Sequence, residues 1–306
     1  MNSLLNLRAL RVTLQTRRGP VLVLRGIDLD LAEGEALGIA GESGSGKSTL
    51  ASTIIRTLPI KGEISGSISF RGRDLLAIDP VEMRGIRGRD IAIVFQEPSF
   101  DPLARIGQHI AEVLKAHRMT EGVAARVEEL LVLVGLDPDV ASAYPHRMSG
   151  GMLQRAQLAA ALAARPSLLI ADEPTSAIDA VLQTQLLDLL SSLRTRLALS
   201  VILISHDLSV ISRFCQRIAV MYAGRIVEEG AVCDVLSTPL HPYTALMLRA
   251  SRFEGSGGVG SAPDMFSLPA GCAFRERCPR RLPACDSRDV ELCRKDGRAV
   301  RCVHYE

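Results

Sequence analysis

The chain has 306 residues, 47% hydrophobic and 23% charged, with a net charge of +2. That length can bury one large core and a smaller lobe, while the near-neutral balance and the absence of Trp argue against a nucleic-acid-binding surface. No run reaches the roughly 18 apolar residues of a membrane span, and MNSLLNLRAL lacks the apolar core and cleavage site of a signal peptide, so a cytosolic chain that meets the membrane only through a partner is expected.

In chain order, residues 7–40 alternate apolar and polar positions between Gly/Pro punctuation and read as antiparallel strands and turns. Leu37 to Ala40 is an apolar strand, and Thr49 to Thr57 reads as an amphipathic helix. Between them lies Gly41-Glu42-Ser43-Gly44-Ser45-Gly46-Lys47-Ser48-Thr49, which fits G-x-x-x-x-G-K-[ST] in the strand–loop–helix context that a phosphate-binding P-loop needs. Gly41, Gly44 and Gly46 let backbone N–H groups turn around a polyphosphate, and the helix N-terminus adds partial positive charge. Lys47 is expected at the β/γ-phosphates and the Ser48 hydroxyl on Mg²⁺, with Thr49 closing the ATP-binding set. Residues 62–72 read as a further hairpin, Ile91 to Phe95 as a short buried strand and residues 106–165 as mostly helical. Leu168 to Ala171 and Val201 to Ile204 are all-apolar strands of the parallel kind, with a helix over 180–195 between them. Ile218 to Tyr222 and Arg225 to Glu229 form a hairpin turning at Ala223-Gly224. Gly255 to Gly260 reads as a flexible linker, beyond which Cys, Arg and Pro accumulate.

Three further groups carry chemistry. The strand Leu168 to Ala171 ends in Asp172 and Glu173; beside a P-loop, Asp172 suits the Mg²⁺ environment and Glu173 suits a general base for the attacking water. Ser149-Gly150-Gly151-Met152 precedes a helix and offers a second phosphate-binding N-terminus. One P-loop does not need it, whereas two such chains packed head to tail would each use the other's. His206 ends an apolar strand, a place where histidine alone proves little.

The P-loop, Gln96, Ser149 to Met152, Asp172-Glu173-Pro174-Thr175-Ser176 and Ser205-His206-Asp207 occur in the order seen in ATP-binding-cassette (ABC) ATPases, which residues 5–250 resemble. The resemblance implies an α/β P-loop nucleotide-binding domain: a RecA-like core with an antiparallel β subdomain and a helical subdomain at about 97–165. It makes Gln96 the Q-loop glutamine that senses Mg²⁺ and the permease, Ser149 to Met152 the signature loop, Ser176 to Asp179 the D-loop and His206 the γ-phosphate switch. With His241-Pro242-Tyr243-Thr244 and a Cys-rich tail, the chain is similar to the dipeptide/oligopeptide/nickel importers. The similarity implies a domain over 1–250, an extension over 251–306 and an ATP hydrolase on the cytoplasmic face of the inner membrane. Its implied partners are two transmembrane permease subunits, a homologous second ATPase and, indirectly, an extracytoplasmic substrate-binding protein, with no nucleic acid. An ATPase working on DNA or ribosomes would show two cassettes, a coiled-coil insert or long basic segments, and a sensor that only binds would not need Glu173 and His206.

Two departures from the family pattern stand out. Ser99-Phe100-Asp101-Pro102-Leu103 after Phe95-Gln96-Glu97-Pro98 is shorter than usual, at the place where the permease would be felt. The usual adenine-stacking aromatic is replaced by Arg18, whose guanidinium can either stack on a base or be solvated.

Five of the seven cysteines lie between Cys272 and Cys302, which in a cytosolic chain argues for a metal rather than disulfides. Four thiolates can hold Zn²⁺ or an iron–sulfur cluster, and the lack of C-x-x-C pairs speaks against a zinc ribbon. The resemblance picks out Cys272, Cys278, Cys285 and Cys302 as ligands of a [4Fe–4S] cluster, with Cys293 as a spare ligand. Arg275, Arg277, Arg280 and Arg281 would either offset cluster charge or form a solvated basic face.

Overall fold

The computed structural model describes residues 3–176, 178–251 and 263–305. The chain divides into two compact units, Met1–Ala77 with Leu203–Glu306, and Ile78–Ile202. The expected linker at Gly255 to Gly260 lies outside the described residues.

The first unit opens with β1 (Ser3–Thr16) and β2 (Gly19–Ala32), an antiparallel pair turning at Arg17-Arg18. Alternation drives it: Leu10, Val12 and Leu14 are buried while Arg11 and Gln15 face outward. Then come β3 (Ala36–Ala40), α1 (Lys47–Ile54), β4 (Gly62–Phe70) and β5 (Arg73–Asp74). The expected hairpin at 62–72 is only partly local. It turns at Arg71-Gly72 into the two-residue β5, but the long partner of β4 is β1. The reason is burial: Ile68 and Phe70 share an apolar face with Leu5 and Leu7, which two charged residues cannot cover.

The second unit contains α2 (Pro80–Ile86), β6 (Ile91–Val94), α3 (Ile106–Ala116), α4 (Val123–Leu133), α5 (Gly150–Leu162), β7 (Leu168–Asp172) and α6 (Ala180–Leu197). Helix α3 buries Ile106, Ile110 and Leu114, and α4 buries Val127, Leu130 and Leu131, apolar stripes at helical spacing. Strands β6 and β7 pair in parallel, and every residue of β7 is buried. The unit boundary falls inside β8 (Ser200–Ser205).

The chain returns to the first unit through α7 (Leu208–Phe214), β9 (Arg217–Tyr222), β10 (Arg225–Ala231), α8 (Val232–Ser237) and α9 (Pro242–Ser251). Strand β9 lies parallel to β3 and antiparallel to β10, and left-handed Ala223 and Gly224 turn the hairpin where the sequence placed it. Two short strands, β11 (Cys293–Lys295) and β12 (Arg298–Val300), extend this sheet in the order β11-β12-β10-β9-β3. The Cys-rich tail is therefore not a free appendage within this unit: Ala299 and Val300 pair with Glu229 and Glu228 of β10 and are buried.

Candidate functional site

The P-loop forms because β3 buries all its residues and ends where the backbone must turn sharply. A Cβ on Gly41 would lie 2.4 Å from the Met221 carbonyl oxygen and 2.8 Å from Ser45 Oγ, so only glycine lets the loop pass. Gly46, with φ 102°, caps α1, and a Cβ there would press on Leu24 and the Val23 carbonyl. Lys47 is 5% exposed, and its Nζ donates to the carbonyls of Gly41 (2.7 Å) and Glu42 (3.0 Å). Ser45 Oγ is buried with no hydrogen-bond partner, a polar atom aimed into the loop. A buried ammonium, an unpartnered hydroxyl and glycine-shaped backbone suit a polyphosphate anion. His206 stands exposed at the end of β8, followed by Asp207, whose carboxylate caps α7 through Ser209 N–H (2.7 Å).

In the second unit, β7 delivers Asp172, 7% exposed, and the half-buried Glu173. Glu173 has φ 48°, a left-handed backbone that is uncommon for a non-glycine residue and that clusters at functional turns. Ser176 closes the turn, its N–H and hydroxyl both donating to the Glu173 carbonyl. Gln96 lies exposed just beyond β6. Ser149 is the N-cap of α5 and accepts from Met152 N–H at 3.3 Å. Ser149 and Gly150 are exposed and Gly151 is half-buried, so this helix end is open to a partner. Within the loop Ser176 to Asp179, Ala177 lies outside the described residues.

Arg18 is largely exposed and has partners in the tail. Its guanidinium sits 4.3 Å from the Phe266 ring centroid, and Nη2 bonds Asp264 at 3.2 Å.

The four cysteines singled out with the family resemblance do share one pocket. Cys272, Cys278, Cys285 and Cys302 line it together with Tyr222, His241 and Phe274. Burial pushes the Cys272, Cys278 and Cys302 thiols above their ordinary pKa, and neighbouring sulfurs add to the shift. Four soft donors suit iron–sulfur or zinc chemistry. The cavity is about 40 Å³, room for a few waters. Among the described residues no group of three or more His, Cys, Asp or Glu side chains is placed to hold a metal ion. The expected cluster thus finds its donors together without a formed site. Cys293 belongs to β11, with its Sγ directed at the Glu291 carbonyl, and does not line the pocket, so it is no competing ligand there.

Of the four tail arginines, Arg280 lines the thiol pocket, in keeping with a charge-offsetting role, and the other three find acidic partners instead. Arg275 and Arg281 pair with Glu276 and Asp286, because acidic neighbours lie within the same short loops. Arg277 reaches back to Glu42 in the P-loop. Sequence inspection missed Arg277 and Tyr243 as neighbours of the site, although Tyr243 stood inside the His-Pro-Tyr motif.

Comparison with known proteins agrees with this geometry. The family model described as ABC transporter matches residues 24–176, and the model described as Oligopeptide/dipeptide transporter, C-terminal region, matches residues 227–285. The dipeptide transport ATP-binding protein DppD of Bacillus subtilis is 41% identical over 99% of this chain and 95% of its own. The oligopeptide transport ATP-binding protein OppD of Escherichia coli is 40% identical over 94% of this chain and 88% of its own. Among solved structures, a dimeric ATP-binding cassette in a post-hydrolysis state bound to ADP and Pi superposes with TM-score 0.68 and 28% identity, covering 74% of this chain and 98% of that one. Among the described residues no helix is long and apolar enough to cross a membrane.

Proposed function

This chain belongs to the ATP-binding subunits of ABC transporters that carry the oligopeptide/dipeptide C-terminal region, and on that premise we propose that it binds and hydrolyses ATP to power a peptide importer. The observation that carries the reading is the P-loop itself: a glycine-shaped turn between β3 and α1 with the Lys47 ammonium buried over it.

The roles follow residue by residue. The backbone N–H groups of Gly41 to Thr49 wrap the phosphates and Lys47 neutralises the β/γ charge. Glu173 accepts a proton from the attacking water, and His206 and Gln96 hold the γ-phosphate and that water in place. Mg²⁺ bound with ATP spreads charge across the phosphates, and the oxygen donors of Ser48, Gln96 and Asp172 are hard ligands of the kind it takes. Ser149, Gly150 and Gly151 complete the ATP site of a homologous second ATPase subunit, a reading supported by the exposure of Ser149 and Gly150 at the start of α5. Arg18, held against Phe266, is the residue we offer for the adenine. Two permease subunits in the inner membrane carry the peptide delivered by a substrate-binding protein, and this subunit is peripheral on their cytoplasmic side. Residues 1–250 form the ATPase domain and 251–306 its importer-type extension.

The test is uptake of a labelled dipeptide by cells whose only copy of this chain carries Lys47→Ala. Uptake is expected to vanish while the protein still accumulates. Uptake at the wild-type rate would overturn the peptide reading, and labelled nickel would be tried next.

The thiol pocket is open to a separate test. We assign Cys272, Cys278, Cys285 and Cys302 as the ligands of a [4Fe–4S] cluster, on the ground that all four line one pocket; loading would have to draw the four sulfurs together. Protein purified without oxygen is expected to contain iron and acid-labile sulfide, as thiolate-held clusters do. Stoichiometric zinc without sulfide, or no metal, overturns the assignment.

A further inference from the structure

Glu42, the second residue of the P-loop, is held from three sides. Its backbone N–H donates to Tyr243 Oη at 2.8 Å, and its carbonyl accepts from Lys47 Nζ at 3.0 Å. Its carboxylate takes two bonds from Arg277, Nη1 to Oε2 and Nη2 to Oε1, each 2.8 Å. Arg277 lies on the loop between Cys272 and Cys278, far along the chain from the P-loop.

This is not a casual surface pair. The Arg277 side chain is 8% exposed, and its guanidinium lies 5.6 Å from the Phe274 ring centroid and 5.8 Å from that of Tyr222. Phe274 is itself fully buried, edge-on to Tyr222 and Tyr243 at 5.3 and 5.5 Å. The fork is therefore fixed before it meets the carboxylate, so little rotamer freedom is lost in the bond. Glu42 in turn is 33% exposed beside a loop shaped for an anion.

We propose that Arg277 is a positioning residue for ATP: acting through Glu42, it holds the P-loop in its phosphate-receiving shape, so that the C-terminal cysteine loop sets the affinity for nucleotide. The proposal rests on the reading of this chain as an ATPase. Two effects work in the same direction. The clamp fixes the Glu42 carbonyl that steers Lys47, and it masks a carboxylate that would otherwise repel the triphosphate.

The test is ATP titration of the full-length chain, read by displacement of trinitrophenyl-ATP, alongside KM and kcat in the importer complex. Arg277→Ala is expected to weaken ATP about tenfold, ~1.4 kcal/mol. KM should rise by the same factor while kcat at saturating ATP moves less than about twofold. A variant that merely folds poorly would lower kcat and leave KM alone. Glu42→Gln should weaken ATP less, because it drops the repelling charge together with the clamp. The double variant should be no worse than Arg277→Ala, and Arg277→Lys should recover part of the loss. Unchanged affinity in Arg277→Ala, or a double variant whose loss equals the product of the two single losses, overturns the proposal. Failure of the wild-type chain to bind ATP would instead overturn the ATPase reading, and this proposal with it.

Discussion

Glu173→Gln is expected to lower ATP turnover by about 10²- to 10⁴-fold, the usual worth of a positioned general base, while ATP binding survives. The amide keeps the volume and hydrogen-bonding reach of the carboxylate, so the left-handed turn at φ 48° that presents residue 173 is undisturbed. What is lost is the ability to take the proton of the attacking water. ATP bound without hydrolysis should then hold the paired ATPase subunits closed, and labelled ATP should stay with the complex after gel filtration. Lys47→Ala separates the two steps, because removing the phosphate-binding cation should abolish the trapping itself. Turnover of Glu173→Gln within threefold of wild type would remove Glu173 from the role of base. The structural side is independently checkable: Glu173→Val, β-branched at a positive φ, should also destabilise the turn, whereas the Gln variant should melt like wild type.

The parts of this molecule that the sequence revealed are those whose physics is local. The P-loop is legible because the spacing of Gly41, Gly46 and Lys47 encodes both the turn and the charge. Strands β7 and β8 are legible because each is a short, wholly apolar run, and the hairpin at Ala223-Gly224 because a positive φ there favours glycine. Helix α2 had a signal that was passed over: Asp79 caps Val81 and Glu82 N–H groups immediately before Pro80, a common helix start. The tail was opaque for a different reason. Strands β11 and β12 are three residues each, carry Arg and Lys, and owe their form to pairing, β11 with β12 and β12 with β10, rather than to any pattern of their own. Arg277 with Glu42, and Arg18 with Phe266, are long-range pairs, and a single sequence gives each arginine no preferred partner. The cysteines were found by composition and the family resemblance set Cys293 apart, while the structure adds that the other four share one pocket.

The largest stability effect is expected at Glu228 on β10. The residue has no exposed surface, yet its carboxylate is fully engaged. Oε1 accepts from Leu240 N–H at 2.9 Å and from Arg298 Nη2 at 2.6 Å, and Oε2 accepts from His241 N–H at 2.9 Å. One side chain thus ties the tail strand β12 and the chain leading into α9 to the same point of β10. Glu228→Ala leaves two backbone donors and a largely buried guanidinium without it, so the loss should be about 3–5 kcal/mol, the range for breaking a buried pair from one side. In a chain of this size that lowers Tm by on the order of 10 °C. An exposed pair gives the contrast: Arg281 and Asp286 are 41% and 46% exposed, and Arg281→Ala should cost no more than about 1 kcal/mol. The damage at Glu228 should also reach the nucleotide. His241, fully buried and held neutral by burial with its pKa down to about 3, accepts from Tyr243 N–H at 3.0 Å, and Tyr243 in turn receives the Glu42 N–H. Releasing the Leu240-His241 segment frees the tyrosine that steadies the P-loop, so Glu228→Ala should raise the KM for ATP as well as lower Tm. Thermal unfolding that coincides with wild type would show that the sheet, rather than this carboxylate, holds the tail in place. A lowered Tm with unchanged KM would confine the role of Glu228 to stability and leave Tyr243 to be anchored by its aromatic neighbours Tyr222 and Phe274.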